Sequence, residues 1–337
     1  MLYRRSASRA RKRITAPVAA ILSVIIAVTV AATCVACNTR DHVLTGTAFG
    51  SYYSIEYTGE DRDKQLKTLI SELNDDFDVT GSGDIAAINA ASAHTPVPVS
   101  DLTFKALSLA FGIAADSDSA FDPTVYPLTE LWGFAPEDYT GTATSVPSDE
   151  QISLTLESVG TDLFVLNEAE KTVTKLKDGA ELDVGGIGKG FAADTVKEVL
   201  GDDATAIDFG ATLYLTDEAK VYIQNPRSND FVASATISDL SVATSGDYQR
   251  YYFFDGVRYH HVIGRDGYPA GIFDGDPVVS ATITSPSAAV SDALSTAAMV
   301  LGNTDTLKAL LDKYDAAAVL ITESGRYVVG DSPFVFE

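Results

Sequence analysis

The sequence predicts an α+β fold in which a mixed β-sheet is flanked by helices. Two observations support this prediction. Short runs rich in β-branched and aromatic residues predict strands, and longer runs with apolar residues at helical spacing predict helices. These runs do not alternate in the regular way that is typical of parallel α/β sheets. The chain has 337 residues and is 46% hydrophobic, which allows one large domain or two small ones.

The first half of the folded region is predicted to contain one strand followed by helices. Residues 47–57 are rich in aromatic and β-branched side chains, as in a strand. Apolar residues recur at helical spacing in 63–77, 84–91 and 102–115. The aromatic, proline-broken stretch 121–134 predicts a loop with short ordered pieces.

The second half is predicted to consist mainly of short strands with three helices among them. The predicted strands cover residues 163–166, 172–176 and 181–184, short runs between 206 and 283, and residues 317–322 and 327–329. Residues 185–190 predict a turn, and the predicted helices cover 191–200, 288–301 and 306–314. Glycine follows two of these helices, at Gly201 and Gly302, and commonly ends a helix.

The N-terminal segment has the parts of a secretory signal. Six basic residues lie within residues 4–13, and an apolar run with small residues at its end follows over 18–35. The only two cysteines of the chain, Cys34 and Cys37, lie at this end. We therefore predict a lipoprotein signal over residues 1–36, lipidation of Cys37, and a lipid-anchored location on the extracytoplasmic face of the cell membrane.

Two alternatives stay open at this end of the chain. Cys34 is the alternative lipidation site, and an uncleaved anchor helix is the alternative to a cleaved signal. Both place the rest of the chain outside the cytoplasm. We predict that residues 37–45 form a tether and that residues 46–337 form the folded domain, in which the absence of further cysteines excludes a disulfide.

The charge of the chain excludes nucleic acid as a ligand. The full sequence has 24 basic and 47 acidic residues, a net charge of −23. Six of the basic residues belong to the predicted signal, which leaves 18 against 47 and a net charge of −29. Such a surface repels nucleic acid and anionic headgroups, so an anionic ligand needs a local site of backbone amides, a lysine or a metal. Solubility alone also explains the acidity.

A glycine-rich segment, Leu-Asp-Val-Gly-Gly-Ile-Gly-Lys-Gly, covers residues 182–190. A predicted strand leads into a turn and a helix start, where free amides and Lys189 could bind a pyrophosphate. The segment is not a Walker loop because Gly190 follows the lysine. It is not a dinucleotide fingerprint either, because Phe191 stands in place of the third glycine. The alternative is a tight turn with a solvated lysine.

A second candidate site lies in the predicted helix 288–301. Asp292 and Thr296 are four residues apart, so both side chains lie on one helical face among small and apolar neighbours. A carboxylate and a hydroxyl are oxygen ligands of the kind that Mg²⁺ takes. The alternative is that Asp292 interacts with the helix dipole.

Two further segments could contact a ligand. Residues 242–263 contain Ser245, Asp247 and an adjacent histidine pair, and a histidine could take a proton from an attacking hydroxyl. A hydrolase triad and ordinary polar hairpin residues are the alternatives. Residues 121–134 contain the only tryptophan, Trp132, and could pack against a flat ring system or form core.

Together and in this order, these segments resemble the ApbE family of FAD:protein FMN transferases. The resemblance runs from Gly46 to Gly302 and implies an ApbE-like single catalytic domain with a flavin cleft. It is carried by Gly46-Thr47, Asp84-Ile-Ala-Ala-Ile-Asn89, Phe121-Asp-Pro-Thr-Val, Leu131-Trp-Gly-Phe134, residues 182–190, Thr244-Ser-Gly-Asp-Tyr248, Tyr259-His-His-Val-Ile263, Gly267-Tyr-Pro-Ala270 and Asp292-Ala-Leu-Ser-Thr-Ala297.

The resemblance also implies roles for individual residues. The implied Mg²⁺ ligands are Asp292, Thr296 and the backbone carbonyl of Gly188. The implied catalytic residues are His261, as the base, and Lys189. The implied FAD-binding residues are Gly46, Thr47 and Asp122 towards the adenosine, Asp183, Gly185, Gly186 and Lys189 around the pyrophosphate, and Thr244, Ser245, Asp247 and His261 towards the phosphates or the flavin.

The implied reaction is Mg²⁺-dependent transfer of FMN from FAD to a threonine or serine hydroxyl of a partner protein, with release of AMP. The implied partner is an acceptor flavoprotein, either a membrane redox subunit or a secreted flavoprotein. A Mg²⁺-dependent FAD pyrophosphatase and a non-catalytic flavin-binding lipoprotein are the alternatives.

The sequence departs from the family pattern at two places. Phe209-Gly-Ala-Thr212 stands where the family usually has Gly-Gly-Asn. The segment after His261 is one residue shorter than usual and lacks an Asp-Pro pair, for which Asp266 is the nearest substitute.

Overall fold

The structure is a computed structural model that describes residues 41–136 and 138–337. Its helices are α1 (Asp63–Asp76), α2 (Asp84–Ala90), α3 (Asp101–Asp116), α4 (Tyr126–Leu131), α5 (Asp149–Leu156), α6 (Gly188–Leu200), α7 (Ala288–Leu301) and α8 (Asp305–Lys313). Its strands are β1 (His42–Ala48), β2 (Ser51–Tyr57), β3 (Val97–Pro98), β4 (Phe164–Asn167), β5 (Thr172–Lys175), β6 (Ala204–Asp208), β7 (Thr212–Leu215), β8 (Ala219–Gln224), β9 (Phe231–Ile237), β10 (Leu240–Gly246), β11 (Tyr251–Phe254), β12 (Val257–His260), β13 (Val278–Ser285), β14 (Ala317–Thr322), β15 (Arg326–Val329) and β16 (Val335–Phe336). The predicted α+β class is confirmed.

An eight-stranded sheet in the order β1-β2-β6-β7-β10-β13-β14-β15 forms the framework. Every neighbouring pair in it is antiparallel, so the prediction of a mixed sheet was wrong in strand direction. The strands are antiparallel because no parallel crossover joins them. Hairpins connect some of them, and helices return the chain beside its starting point for the others.

The two faces of this sheet are covered by different layers. Ala281, Ile283 and Leu320 face the large core beneath α6 and α7. Val319 and Ile321 point the other way, towards the small sheet β16-β9-β8. Because successive residues of a strand face opposite sides, the central strands are buried along both faces. This burial fixes the register that positions the polar residues at the strand ends.

A third cluster surrounds Trp132, which lies between α4 and the two-stranded hairpin β11–β12. The indole stacks on Tyr259 at a centroid distance of 5.4 Å and donates a hydrogen bond to the Gly267 carbonyl at 2.8 Å. The aromatic segment 121–134 is therefore mainly core, and within it α4 is a regular helix where a loop with short pieces was predicted.

The first predicted strand is a hairpin. Residues 47–57 comprise the end of β1, a turn at Phe49 and Gly50, whose φ angles are 52° and 66°, and β2, which ends at Tyr57 as predicted. Positive φ at both turn residues suits the twist of a hairpin, but asparagine or aspartate usually precedes the glycine, so this turn had no local signal. Because β1 already begins at His42, residues 42–45 are not tether as predicted. The predicted signal and Cys37 lie outside the described residues.

Two further local predictions were wrong. Residues 181–184 form no strand, and the Asn89 side chain hydrogen-bonds both backbone groups of Leu182, at 2.7 and 2.9 Å. Helix α5 was not predicted, although Ser148 and Gln151 form a capping box at its start. Across the part of the chain that the structure describes, no helix has both the length and the apolar character needed to cross a membrane.

Candidate active site

Helices α6 and α7 cross closely at their N-terminal ends. The Gly190 amide of α6 donates to Asp292 Oδ2 of α7 at 3.0 Å. In the other direction, the Asp194 carboxylate accepts the amides of Ala288 and Ala289 at 2.8 and 3.0 Å. A Cβ at Gly190 would overlap the Ala288 carbonyl, so only glycine permits this crossing. The crossing places Asp292 directly beside the glycine-rich turn.

Asp292 is only 5% exposed and has partners on both carboxylate oxygens. Besides the Gly190 amide, Thr212 Oγ1 donates to its Oδ1 at 3.1 Å. Lys189 Nζ lies 3.6 Å from the same Oδ1 and donates to the Gly185 carbonyl at 3.3 Å. A buried carboxylate that is held by two donors and a lysine is fixed in position.

Thr296 lies four residues after Asp292 in α7, and its side chain also faces the glycine-rich turn 185–190. A Cβ at Gly186 would lie 3.4 Å from Thr296 Oγ1 and 3.1 Å from the Phe121 ring, so the turn, α7 and the 121–124 loop meet here. Ser245 Oγ at the end of β10 lies 2.7 Å from Ser295 Oγ and 3.5 Å from Thr296 Oγ1. The structure thus brings the predicted Asp292–Thr296 pair, the glycine turn and Ser245 together.

Asp183 opens the glycine-rich turn. Its Oδ1 accepts the Gly185 amide at 2.7 Å, which shapes the turn. Burial raises the pKa of Asp183, while the Gly185 hydrogen bond and the positive charges of Arg250 and Lys189 lower it. Asp183 is therefore electrostatically coupled to both cations of the site.

His261 directly follows β12, and its imidazole feels the positive charges of Lys189 and Arg250. Its backbone amide and Nδ1 both contact the Arg250 carbonyl, at 3.1 and 3.3 Å. A carbonyl can only accept, so Nδ1 carries the proton, and Nε2 is an acceptor with no partner among the described residues. Burial lowers the pKa of His261 to about 3, helped by the charges of His260, Arg250 and Lys189. The imidazole is therefore neutral at pH 7 and able to take a proton.

Comparison with known proteins decides the family. The sequence profile of the ApbE family matches residues 49–321. The chain belongs to the ApbE family. It is 30% identical over 305 residues to the FAD:protein FMN transferase of Escherichia coli K12, with 84% of each chain covered. It is also 30% identical over 252 residues to the protein of the same name from Klebsiella pneumoniae 342, covering 73% of this chain and 77% of that one.

Solved structures of ApbE proteins have the same fold. The crystal structure of the Thermotoga maritima ApbE protein matches with a TM-score of 0.75 at 29% identity, covering 86% of this chain and 97% of that one. The flavin transferase ApbE from Vibrio cholerae matches with a TM-score of 0.74 at 25% identity, covering 87% and 98%. The prediction of the family and its fold from sequence is confirmed.

Two residues with implied ligand contacts in this ApbE chain point elsewhere. Thr244 Oγ1 bonds to Thr282 Oγ1 at 2.9 Å on the sheet face opposite Ser245, because adjacent strand residues alternate. The Asp247 carboxylate is taken by Arg227 at 2.7 Å on both oxygens and by Arg258 at 3.2 Å. No local pattern in the sequence reveals this orientation of Thr244 or the arginine partners of Asp247, and their predicted cofactor contacts stay predictions.

The remaining predicted residues lie at the edges of the site. Asp122 Oδ1 accepts the amide and hydroxyl of Thr124 at 2.8 and 2.6 Å, and burial raises the pKa of Asp122. Gly188 is buried at the start of α6 against the Phe77 ring, which in turn packs on Phe49 of the β1–β2 turn. No direct contact joins Gly46 or Thr47 of β1 to Asp292 or the glycine turn among the described residues, so their roles stay predictions.

Sequence reasoning missed three polar residues of the ApbE site. Thr212 holds Asp292, Ser295 holds Ser245, and Arg250 adds a cation between Asp183 and His261. Thr212 ends the segment that departs from the family pattern, so the departure still supplies a donor to Asp292. Only Arg250 had a local signal, as a charge beside the Thr-Ser-Gly-Asp-Tyr motif.

A separate group of possible metal ligands consists of His42, Asp61 and Asp63, whose ligand atoms lie within 4.8 Å of one another. It lies on the surface at β1 and α1 and contains none of the predicted ligands. This trio is useful as a control for metal binding at Asp292.

Proposed function

We propose that this protein transfers FMN from FAD to a threonine or serine hydroxyl of an acceptor protein, with release of AMP and dependence on Mg²⁺. Its relatives are FAD:protein FMN transferases, and this chain has the same activity. The observation that supports the proposed chemistry most strongly is the Asp292–Thr296 pair beside the glycine-rich turn, with Lys189 between them.

The residues around Asp292 fit a magnesium ion by their chemistry. Asp292 and Thr296 offer hard oxygen atoms, and the Gly188 carbonyl would be the third protein ligand. The fixed donors Thr212 and Gly190 leave further lone pairs of the Asp292 carboxylate available. When bound, Mg²⁺ would neutralise the FAD pyrophosphate and the charge that develops on the departing AMP.

The chain's own groups would bind the pyrophosphate beside this pair. Lys189 supplies a positive charge, and the backbone at Gly185 and Gly186 permits close approach of a phosphate. Ser245 contributes a hydroxyl at the end of β10. These groups hold the FMN phosphorus in place, which is the main protein contribution to phosphoryl transfer.

His261 is the proposed general base. Its free Nε2 would take the proton of the acceptor hydroxyl as that oxygen bonds to the FMN phosphorus. The bond from this phosphorus to the bridging oxygen breaks, and AMP leaves with the electron pair. Because the pKa of His261 is about 3, we expect proton transfer to occur late, when the hydroxyl has become acidic by bonding to phosphorus.

The location and the acceptor follow from the predicted anchor. Cys37 would be lipidated and would hold the domain at the extracytoplasmic face of the membrane, since β1 begins close behind it at His42. An acceptor there would be a membrane redox subunit or a secreted flavoprotein. Globomycin, which blocks cleavage of lipoprotein signals, should leave a larger precursor of this protein. The Cys37→Ala variant should carry no lipid.

A labelling experiment tests the function. Purified residues 38–337 are incubated with FAD, Mg²⁺ and an acceptor flavoprotein from the same organism, and covalent flavin is read as in-gel fluorescence after denaturation. We expect a fluorescent acceptor band and stoichiometric AMP. AMP without a band would indicate a pyrophosphatase instead, and bound FAD without AMP a flavin carrier.

A further inference from the structure

The glycine-rich turn is entered by a segment that forms no strand. Residues 181–184 lead directly into the turn, and the side chains of Leu182 and Val184 are fully buried in the large core. Buried backbone amides and carbonyls need hydrogen-bond partners, which a neighbouring strand usually supplies. In this segment the partners of Leu182 and Asp183 come from a side chain and a loop instead.

Asn89, in the last turn of α2, holds the start of this segment. Its Oδ1 accepts the Leu182 amide at 2.7 Å, and its Nδ2 donates to the Leu182 carbonyl at 2.9 Å. The next amide, that of Asp183, donates to the Pro123 carbonyl at 2.8 Å. Two short bonds from one side chain to both backbone groups of one residue fix the place and the orientation of that residue.

Asn89 is itself supported from two sides. Its neighbour Ile88 is fully buried and anchors α2 in the core. Lys175 Nζ donates to the Asn89 backbone carbonyl at 2.6 Å, and Lys175 is only 4% exposed. Burial raises the pKa of Glu181 and the positive charge of Lys175 lowers it, so the lysine also interacts with the first residue of the segment. Lys175 therefore joins α2 to the segment that Asn89 holds.

The position of Leu182 determines where the phosphate-binding groups lie. Asp183 follows it directly and accepts the Gly185 amide at 2.7 Å. The Gly185 carbonyl in turn accepts a hydrogen bond from Lys189 Nζ at 3.3 Å. A shift at Leu182 is therefore transmitted to the turn backbone and to the lysine. No hydrogen bond joins Asn89 to Lys189 or Gly185 in the part of the chain that the structure describes, so Asn89 acts on them through Leu182.

We propose that Asn89 is a positioning residue for pyrophosphate binding, whose two bonds to Leu182 place the glycine-rich turn and Lys189 against the phosphates of FAD. This inference rests on the proposed function, which assigns the pyrophosphate to this turn. Because binding groups that are misplaced by about 1 Å can cost up to about 100-fold, loss of the Asn89 bonds should weaken FAD binding without removing any group that touches FAD.

The test measures FAD binding by the purified full-length protein. FAD is titrated without Mg²⁺, so that it is not consumed, and Kd is read from flavin fluorescence at a temperature at which each variant is folded by circular dichroism. Asn89→Leu keeps a branched side chain but can make neither bond to Leu182. We expect its Kd for FAD to rise about tenfold, and its KM for FAD in Mg²⁺-dependent AMP release to rise with it.

Arg62→Met is the matched control. The Arg62 guanidinium donates to the carbonyls of Val199 and Leu200 at 2.7 and 3.2 Å and to Asp203 Oδ2 at 2.9 Å. It thus holds the C-terminal end of α6, whereas the glycine-rich turn lies at the N-terminal end. Both variants lose bonds from a side chain to distant backbone groups, so Tm should fall in both. Only Asn89→Leu should change the Kd for FAD.

Asn89→Asp keeps the test decisive if Asn89→Leu does not fold. It preserves the size of the side chain and the acceptor for the Leu182 amide but loses the donor to the Leu182 carbonyl, so Kd should rise about threefold or more. A wild-type Kd in the folded Asn89 variants, or an equal rise in Arg62→Met, would overturn the inference. FAD binding by a wild type that neither labels an acceptor nor releases AMP would overturn the proposed function, while the Kd comparison would still decide the role of Asn89.

Discussion

At the residue scale, the site depends on how Asp292 is held. Lys189 and Asp292 could be found from the sequence, because each stands in a motif whose spacing implies a ligand. Thr212 could not be found, because it lies 80 residues before its partner and stands in a segment that departs from the family pattern. The side-chain partners of Thr244 and Asp247 could not be found for a related reason, since only tertiary contacts show which way these side chains point.

The Thr212 contact gives the first prediction. Thr212→Val keeps the shape but removes the hydroxyl that donates to Asp292 Oδ1. Loss of such a supporting bond should weaken Mg²⁺ binding about tenfold, as measured by calorimetric titration. Thr282→Val is the control, because Thr282 bonds to Thr244 on the other sheet face. Equal Mg²⁺ affinity in the two variants would contradict the role of Thr212.

The second prediction concerns the acid sensitivity that His261 confers. Its folded pKa, about 3, is below the unfolded value, so the unfolded state binds more protons between about pH 3 and 6.5. Stability from this group is complete above pH 6.5 and falls as the pH drops towards 3. When the pH is lowered from 7 to 4.5, the Tm of His261→Gln should therefore fall less than the Tm of the wild type.

The exposed His94 provides the control for that measurement. His94 has a φ of 63°, so asparagine, which tolerates this conformation, is the suitable replacement. His94→Asn should retain the wild-type acid sensitivity. A wild-type pH dependence in His261→Gln would contradict the burial of a neutral imidazole at this position.

At the element scale, the sequence predicted helices α6 and α7 but not how they cross. Both helices were predicted from apolar spacing, and the structure confirms them, with α6 beginning three residues early at Gly188. Their mutual contacts through Asp194 and Asp292 are tertiary and left no local signal. Helix α5 shows the opposite case, since its capping box was visible in the sequence and was overlooked.

The third prediction tests the helix crossing. Gly190→Ala places a methyl group against the Ala288 carbonyl, so α6 and α7 must separate. We expect a loss of about 1–3 kcal/mol in the free energy of unfolding, measured by denaturant titration, together with weaker Mg²⁺ binding.

Gly112→Ala is the control in the same measurement. Gly112 lies in α3 with open space around the added methyl group. Because alanine favours a helix over glycine, it should raise stability by about 0.5–1 kcal/mol. If Gly190→Ala left the free energy of unfolding unchanged or raised it as Gly112→Ala does, the close crossing of α6 and α7 would be refuted.

At the scale of the whole molecule, the site collects residues from distant parts of one antiparallel sheet and the helices on it. Thr212 and Ser245 lie at the ends of β7 and β10, while Lys189 and Asp292 come from the crossing helices. Order and composition of the motifs sufficed to predict the family and the α+β class. The antiparallel direction of the strands and the start of β1 at His42 became clear only from the three-dimensional contacts.

We propose that Asp292 organises a divalent-metal site at the glycine turn. The most direct measurement is a Mg²⁺ titration of Asp292→Asn in the presence of FAD, by calorimetry and by AMP release, beside the wild type and Asp61→Asn from the surface trio. We predict at least tenfold weaker Mg²⁺ binding and loss of metal-dependent AMP release in Asp292→Asn alone. Wild-type affinity and turnover in Asp292→Asn, or the same loss in Asp61→Asn, would contradict a metal site at Asp292.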